Sequence, residues 1–153
     1  MIARVLTVLV VGCLLAANPR QGGDKQKTDN LQGTWTIAAV FDRGGKRVAI
    51  KDLDELPSLT SIVIEGNKGV IKFRRDEDQR FAYKLDATTK PKQIDLVRDP
   101  ENDKKTLLGI YELDGEILKI CFVRKADGRP TGFKEPEGRD RGGAFELKRA
   151  KAK

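Results

Sequence analysis

The chain has 153 residues, of which 39% are hydrophobic and 35% charged, and a formal net charge of +7. That is material for one domain with polar surface to spare. It contains no histidine, two cysteines (Cys13 and Cys121) and two serines (Ser58 and Ser61). This inventory excludes a Ser-His-Asp triad, a Cys-His dyad and any zinc or haem site built on histidine.

Residues 1–17 read as an export signal: a positive charge at Arg4, an apolar run from Val5 to Leu15, then Ala16-Ala17. The run is too short to anchor in a bilayer as a spanning helix. Cleavage after Ala17 is the favoured processing route. Val10-Val11-Gly12-Cys13 also resembles a bacterial lipobox, which makes Cys13 the candidate for lipidation, but the apolar run continues past that cysteine through Leu14-Leu15. Both routes place the domain outside the cytoplasm, periplasmic or secreted, and the second adds a lipid anchor. Residues 18–30, rich in Gly and Lys and without apolar periodicity, read as a flexible tether. The domain is expected over residues 31–150, followed by a basic tail at 151–153.

Beyond the tether, short β-branched and aromatic runs alternate with Gly, Pro and acidic clusters about every ten residues, the spacing of an antiparallel all-β domain. Strands are predicted at 33–41, 46–50, 59–65, 69–76, 80–87, 92–98, 105–113, 116–124 and 143–149, and a short helix at Lys51–Leu56. A period of two puts Trp35, Ile37, Ala39 and Phe41 on one core-facing side, with Ile71 and Phe73, and Phe81, Tyr83 and Leu85, doing the same in later strands.

Asp114-Gly115 is predicted as a type I′ turn. It sets Leu113 opposite Glu116 and Tyr111 opposite Leu118, and collects Tyr111, Leu118, Ile120 and Phe122 on one surface. The opposite face carries Ile110, Leu108 and Val123 beside Cys121, so this hairpin is expected to be covered on both sides or bent. A second tight turn is expected within Glu65–Gly69. Eight or nine hairpin-linked strands are best accommodated by an up-and-down barrel, with a β-sandwich as the alternative.

Gly33-Thr34-Trp35 resembles the opening of lipocalins, in which the tryptophan plugs the closed end of the barrel and a basic residue of the last strand packs over it. Arg149 shares an alternation face with Phe145 and Leu147 and is the candidate for that place. Taken with Lys84-Leu85-Asp86, Lys90 to Leu96, Gly109 to Gly115, Leu118 to Cys121 and Arg129 to Phe133, the set resembles a lipocalin-like domain family of unknown function that is abundant in planctomycete bacteria. The resemblance covers roughly residues 30–149 and implies a lipocalin-like barrel closed by Trp35 and Arg149. It brings no catalytic residue, ligand or cofactor with it.

Asp99-Pro100-Glu101-Asn102-Asp103 offers alternate oxygen ligands but fails the calcium-loop pattern at Lys104 and Ile110, and reads as a solvated turn. Asp86, Asp95, Glu112 and Glu116 are the carboxylates from which a hydrolytic pair could be drawn, although nothing in the sequence brings two of them together. Cys121 reads as a small buried hydrophobe.

The basic excess concentrates at Arg43–Arg47, Lys72–Arg75 and Lys148–Lys153. Export and the commitment of the aromatics to the core argue against nucleic acid. The expected function is therefore non-enzymatic and free of metal and cofactor. The first form is a monomeric exported barrel holding a small apolar ligand against Phe73, Phe81, Tyr83, Tyr111 and Phe122. The alternative is an envelope interaction or structural module whose basic surface meets an anionic polymer or membrane.

Overall fold

The computed structural model describes residues 29–98, 105–137 and 142–151. The expected signal with Cys13, most of the tether, the Asp99–Asp103 loop and residues 152–153 lie outside the described residues.

The strands are β1 (Gly33–Phe41), β2 (Arg47–Ala49), β3 (Leu59–Glu65), β4 (Lys68–Phe73), β5 (Gln79–Asp86), β6 (Lys92–Val97), β7 (Thr106–Asp114), β8 (Ile117–Arg124) and β9 (Gly142–Arg149). All neighbouring pairs are antiparallel. Around the sheet the order is β1-β3-β4-β5-β6-β7-β8-β9, and β9 returns to pair with β1, Trp35 opposite Arg149 and Ile37 opposite Leu147. That closure makes the molecule an eight-stranded barrel and not a sandwich, and it removes the unpaired edges of an open sheet. β2 is the extra strand: it takes over the edge of β1 at Ala39–Phe41, beyond the residues that pair with β3.

The interior follows the predicted alternation. Ile62, Ile71, Phe81, Leu96, Leu118 and Leu147 are buried in one cluster with Trp35 and Tyr111, and Phe73, Tyr83 and Leu85 pack against it. Phe81 stands opposite Gly69, and a Cβ on that glycine would lie 2.3 Å from the ring. The missing side chain is what lets the phenyl group lie flat against β4.

The alternation of β1 is broken by a bulge between Ile37 and Ala39. Trp35 and Ile37 point inward, whereas Ala39 lies opposite the outward-facing Glu146, and Phe41 joins a second cluster outside the barrel with Ile110, Cys121 and Ala144. The single core face predicted for Trp35, Ile37, Ala39 and Phe41 is thus divided in two, because one extra residue reverses the facing of all that follow it. Phe133, from the β8–β9 connection, caps this outer cluster with its ring centroid 6.1 Å from that of Phe41. The β7–β8 hairpin is therefore covered on both sides.

The register of that hairpin differs from the predicted one by two residues. Asp114 pairs with Ile117, Leu113 with Leu118 and Tyr111 with Ile120, so the turn residues are Gly115 and Glu116. Gly115 has φ +57° and, among the described residues, no non-glycine residue has positive φ, which is the type II′ pattern and not type I′. A shift of two preserves facing, so Leu118, Ile120, Phe122 and Tyr111 still share the interior. The β3–β4 turn repeats the device with Gly66 at φ +61°.

The helix expected at Lys51–Leu56 is absent. A three-residue 3-10 turn at Ile50–Asp52 ends at Leu53, which is already extended. Pro57 biases the preceding residue away from helical geometry, so the segment cannot continue as a helix to Leu56.

Candidate functional site

One end of the barrel is closed by the segment that precedes β1. Leu31 is buried, and its carbonyl accepts a hydrogen bond from Trp35 Nε1 at 2.8 Å. The Arg149 guanidinium lies 4.2 Å from the centroid of the Trp35 ring, donates to the carbonyls of Asn30 and Gln32, and pairs with Glu116 at 3.2 Å. Glu116 thus belongs to the turn beside Arg149 and does not face Leu113.

Gln32 accepts from the Gly66 amide at 2.7 Å and donates to its carbonyl at 2.8 Å, a carbonyl that Tyr83 Oη also reaches. Asp29 receives Lys92 Nζ at 2.6 Å and Tyr111 Oη at 3.0 Å. Burial and the Asp29 carboxylate together push the Tyr111 phenol up from its ordinary value. Asp29, Asn30, Leu31 and Gln32 of the incoming chain are each tied to a strand or a turn, above the buried Trp35 and Tyr111.

Of the five candidate wall residues, Phe81, Tyr111 and Phe122 are buried within the interior cluster, and Phe73 and Tyr83 are half-buried against it. Phe122 packs on Phe145 at 5.7 Å between centroids and Phe81 on Tyr83 at 6.4 Å. Tyr83 and Leu85 also border a hollow of about 480 Å³ at the closed end, beside Gln32 and Gly66.

The candidate carboxylates do not converge on one reactive centre. Asp86 and Asp95 border a small outer hollow of about 150 Å³, while Glu112 pairs with Lys119 at 3.0 Å and Glu116 with Arg149. Asp86 accepts from the Thr88 hydroxyl and amide, which holds it below the usual carboxyl range, the opposite of what a general acid needs. Asp95 is met by Arg129 at 2.7 Å, and Arg129 also donates to the Gly109 carbonyl. Cys121 is wholly buried, and burial raises its thiol pKa, which disfavours the nucleophilic thiolate.

Sequence reasoning passes over two features. The first is the pair of Arg47 with Glu146, in which Nε and Nη2 reach the carboxylate at 2.7 to 3.0 Å and hold it below its ordinary pKa. The partners lie on β2 and β9, and the register that brings them together depends on the bulge.

The second is a hollow of about 650 Å³ on the outer wall of β3–β6. Its floor is Val63, Val70, Ala82 and Val97, all half-buried. Val63 pairs with Val70 and Ala82 with Val97 across adjacent strands. Lys68, Lys72, Arg80 and Arg98 stand around it with Glu65 as the acidic member. The signal was present in the sequence: these apolar residues alternate with the interior set, so they had to face outward.

The architecture defines the class of protein: a closed antiparallel up-and-down β-barrel with one added strand, consistent with a lipocalin-like barrel. Comparison of the chain with protein-family models, curated proteins and solved structures finds no match.

Proposed function

We propose that the protein is a non-enzymatic binding module, an exported lipocalin-like barrel that meets its partner on the outer wall of β3–β6. The observation that carries this reading is the apolar floor of Val63, Val70, Ala82 and Val97 set among basic side chains. Half-exposed valines on the wet face of a barrel keep apolar surface in contact with water, and a bound partner would remove it. The kinship to the planctomycete lipocalin-like family belongs to the same proposal, carried by Gly33-Thr34-Trp35 and the segments that follow it.

A second, inner reading places a small ligand at the closed end of the barrel, and the observation favouring it is the hollow that Tyr83 and Leu85 border with Asn30, Gln32 and Gly66. Two bulky substitutions separate the readings. Native mass spectrometry on protein from its own envelope, together with salt-dependent adsorption to anionic envelope fractions, is expected to lose its signal in Val70→Trp and keep it in Tyr83→Trp. Loss in Tyr83→Trp alone would overturn the outer-wall reading in favour of the inner one.

A further inference from the structure

We propose that the hollow on the outer wall binds a single-chain anionic amphiphile, with its tail on the Val63, Val70, Ala82 and Val97 floor and its acidic head among Lys68, Lys72 and Arg80. The inference rests on the outer-wall reading and gives its partner a chemistry.

Three observations converge on it. Among the described residues, no ion pair or hydrogen bond of the side chain is found for Lys68, Lys72 or Arg80. Some cations elsewhere on the wall are matched, Arg47 by Glu146, Lys119 by Glu112 and Arg129 by Asp95, while Lys84 on β5 and Lys148 on β9 show no ion pair among the described residues; what sets Lys68, Lys72 and Arg80 apart is that they ring one apolar floor. Arg98, the fourth cation, is already held by Gln79 Oε1 at 2.6 Å and the Lys105 carbonyl at 3.1 Å, so it frames the hollow while the other three remain available.

The volume, about 650 Å³, falls within the range of small-molecule sites. The floor crosses four strands, a span of roughly 14 Å from the inter-strand spacing. That shape suits a chain lying across the wall.

The competing occupants fit less well. An extended acidic peptide gains most of its affinity by adding to a free sheet edge. β3–β6 are paired on both sides within the closed barrel and offer no such edge. A membrane surface would be met by a protruding apolar anchor. The large hydrophobic side chain that protrudes among the described residues is Leu56, which lies between the 3-10 turn and β3 and not on the floor of the hollow. Charge complementarity therefore selects an acid, and the apolar floor selects an acid with a tail.

The test uses dodecanoate, below its micelle concentration, titrated calorimetrically into the full-length protein, with dodecanol as the uncharged counterpart. One equivalent of dodecanoate is expected to bind, at least tenfold more tightly than dodecanol and several-fold more weakly at high salt. Lys68→Gln/Lys72→Gln/Arg80→Gln, all exposed positions, is expected to weaken dodecanoate at least tenfold. Val70→Trp is expected to abolish binding by filling the floor, with unchanged melting temperatures showing that both variants are folded.

The proposal is overturned if dodecanoate does not bind or if the triple variant binds it equally well. It is also overturned if anionic vesicles bind in a Lys72- and Arg80-dependent manner while monomeric dodecanoate does not. That last result would leave the outer-wall reading standing. Adsorption to envelope fractions that neither outer-wall variant changes would remove both.

Discussion

At the residue scale two of the ion-bearing sites outside the hollow do different work. Arg149 covers the indole of Trp35, and its fork also satisfies two carbonyls of the entering chain. A guanidinium over an indole contributes about 0.5 to 2 kcal/mol, depending on desolvation. Glu146 is buried under Arg47 on the outside of β9, and its carboxyl is held below the ordinary range by that arginine. A depressed carboxyl contributes stability that is complete above its unfolded pKa, about 4.3, and is lost as pH falls through the folded value.

Glu146→Gln is therefore expected to lower the melting temperature by several degrees at pH 7, with the gap to the wild type closing below about pH 4 as the carboxylate is protonated in both states. Thermal unfolding across pH 3 to 7 measures it, and a gap that does not change with pH would show that the pair has no ionic role. Trp35, Ile71, Phe81 and Leu118 were legible as core because each is apolar at the right parity. The Arg47–Glu146 pair was not, since two charged residues separated by most of the chain carry no mark of partnership.

At the element scale, one inserted residue in β1 decides where Phe41 goes. Up to Ile37 the strand faces the interior on odd positions; beyond the bulge Ala39 and Phe41 face outward, and Phe41 packs on Phe133 and sits with Ile110 and Cys121. The aromatic pair predicts coupling between residues far apart in the chain. A double-mutant cycle of Phe41→Ala and Phe133→Ala is expected to show an interaction of about 0.5 to 1.5 kcal/mol by chemical denaturation, whereas Phe41→Ala with Phe81→Ala is expected to be additive. Additivity in the first cycle would contradict the outer cluster.

The same scale explains the hairpin error. Gly115 announces a two-residue turn, and both placements of it, before or after the glycine, keep the same residues inside. Burial therefore does not separate the two registers. The distinction lies in Gly115 being the sole turn residue at positive φ, which moves the turn onto Gly115-Glu116 and leaves Asp114 in the strand.

At the scale of the whole molecule, closure through β1 and β9 turns a meander into a barrel. Without β9 the edges of β1 and β8 are open, and Leu147 no longer fills the interior beside Leu118 and Trp35. A chain ending at residue 141 is expected to be insoluble or to associate through those edges, as light scattering after size exclusion would detect. A folded monomer of that length would show that the closing strand is dispensable.

Period-two alternation, two glycine turns and the absence of long crossovers were local properties, so the sequence by itself determined an all-β chain of antiparallel strands and most of its interior. Histidine-free composition determined which chemistries it cannot perform. Only the tertiary structure decided between barrel and sandwich, because both satisfy the same alternation and differ in whether the first strand meets the last. It alone placed Val63, Val70, Ala82 and Val97 together among unpaired cations: residues on four strands become one surface only when register aligns them, and register is settled by cross-strand packing rather than by any one strand's residues.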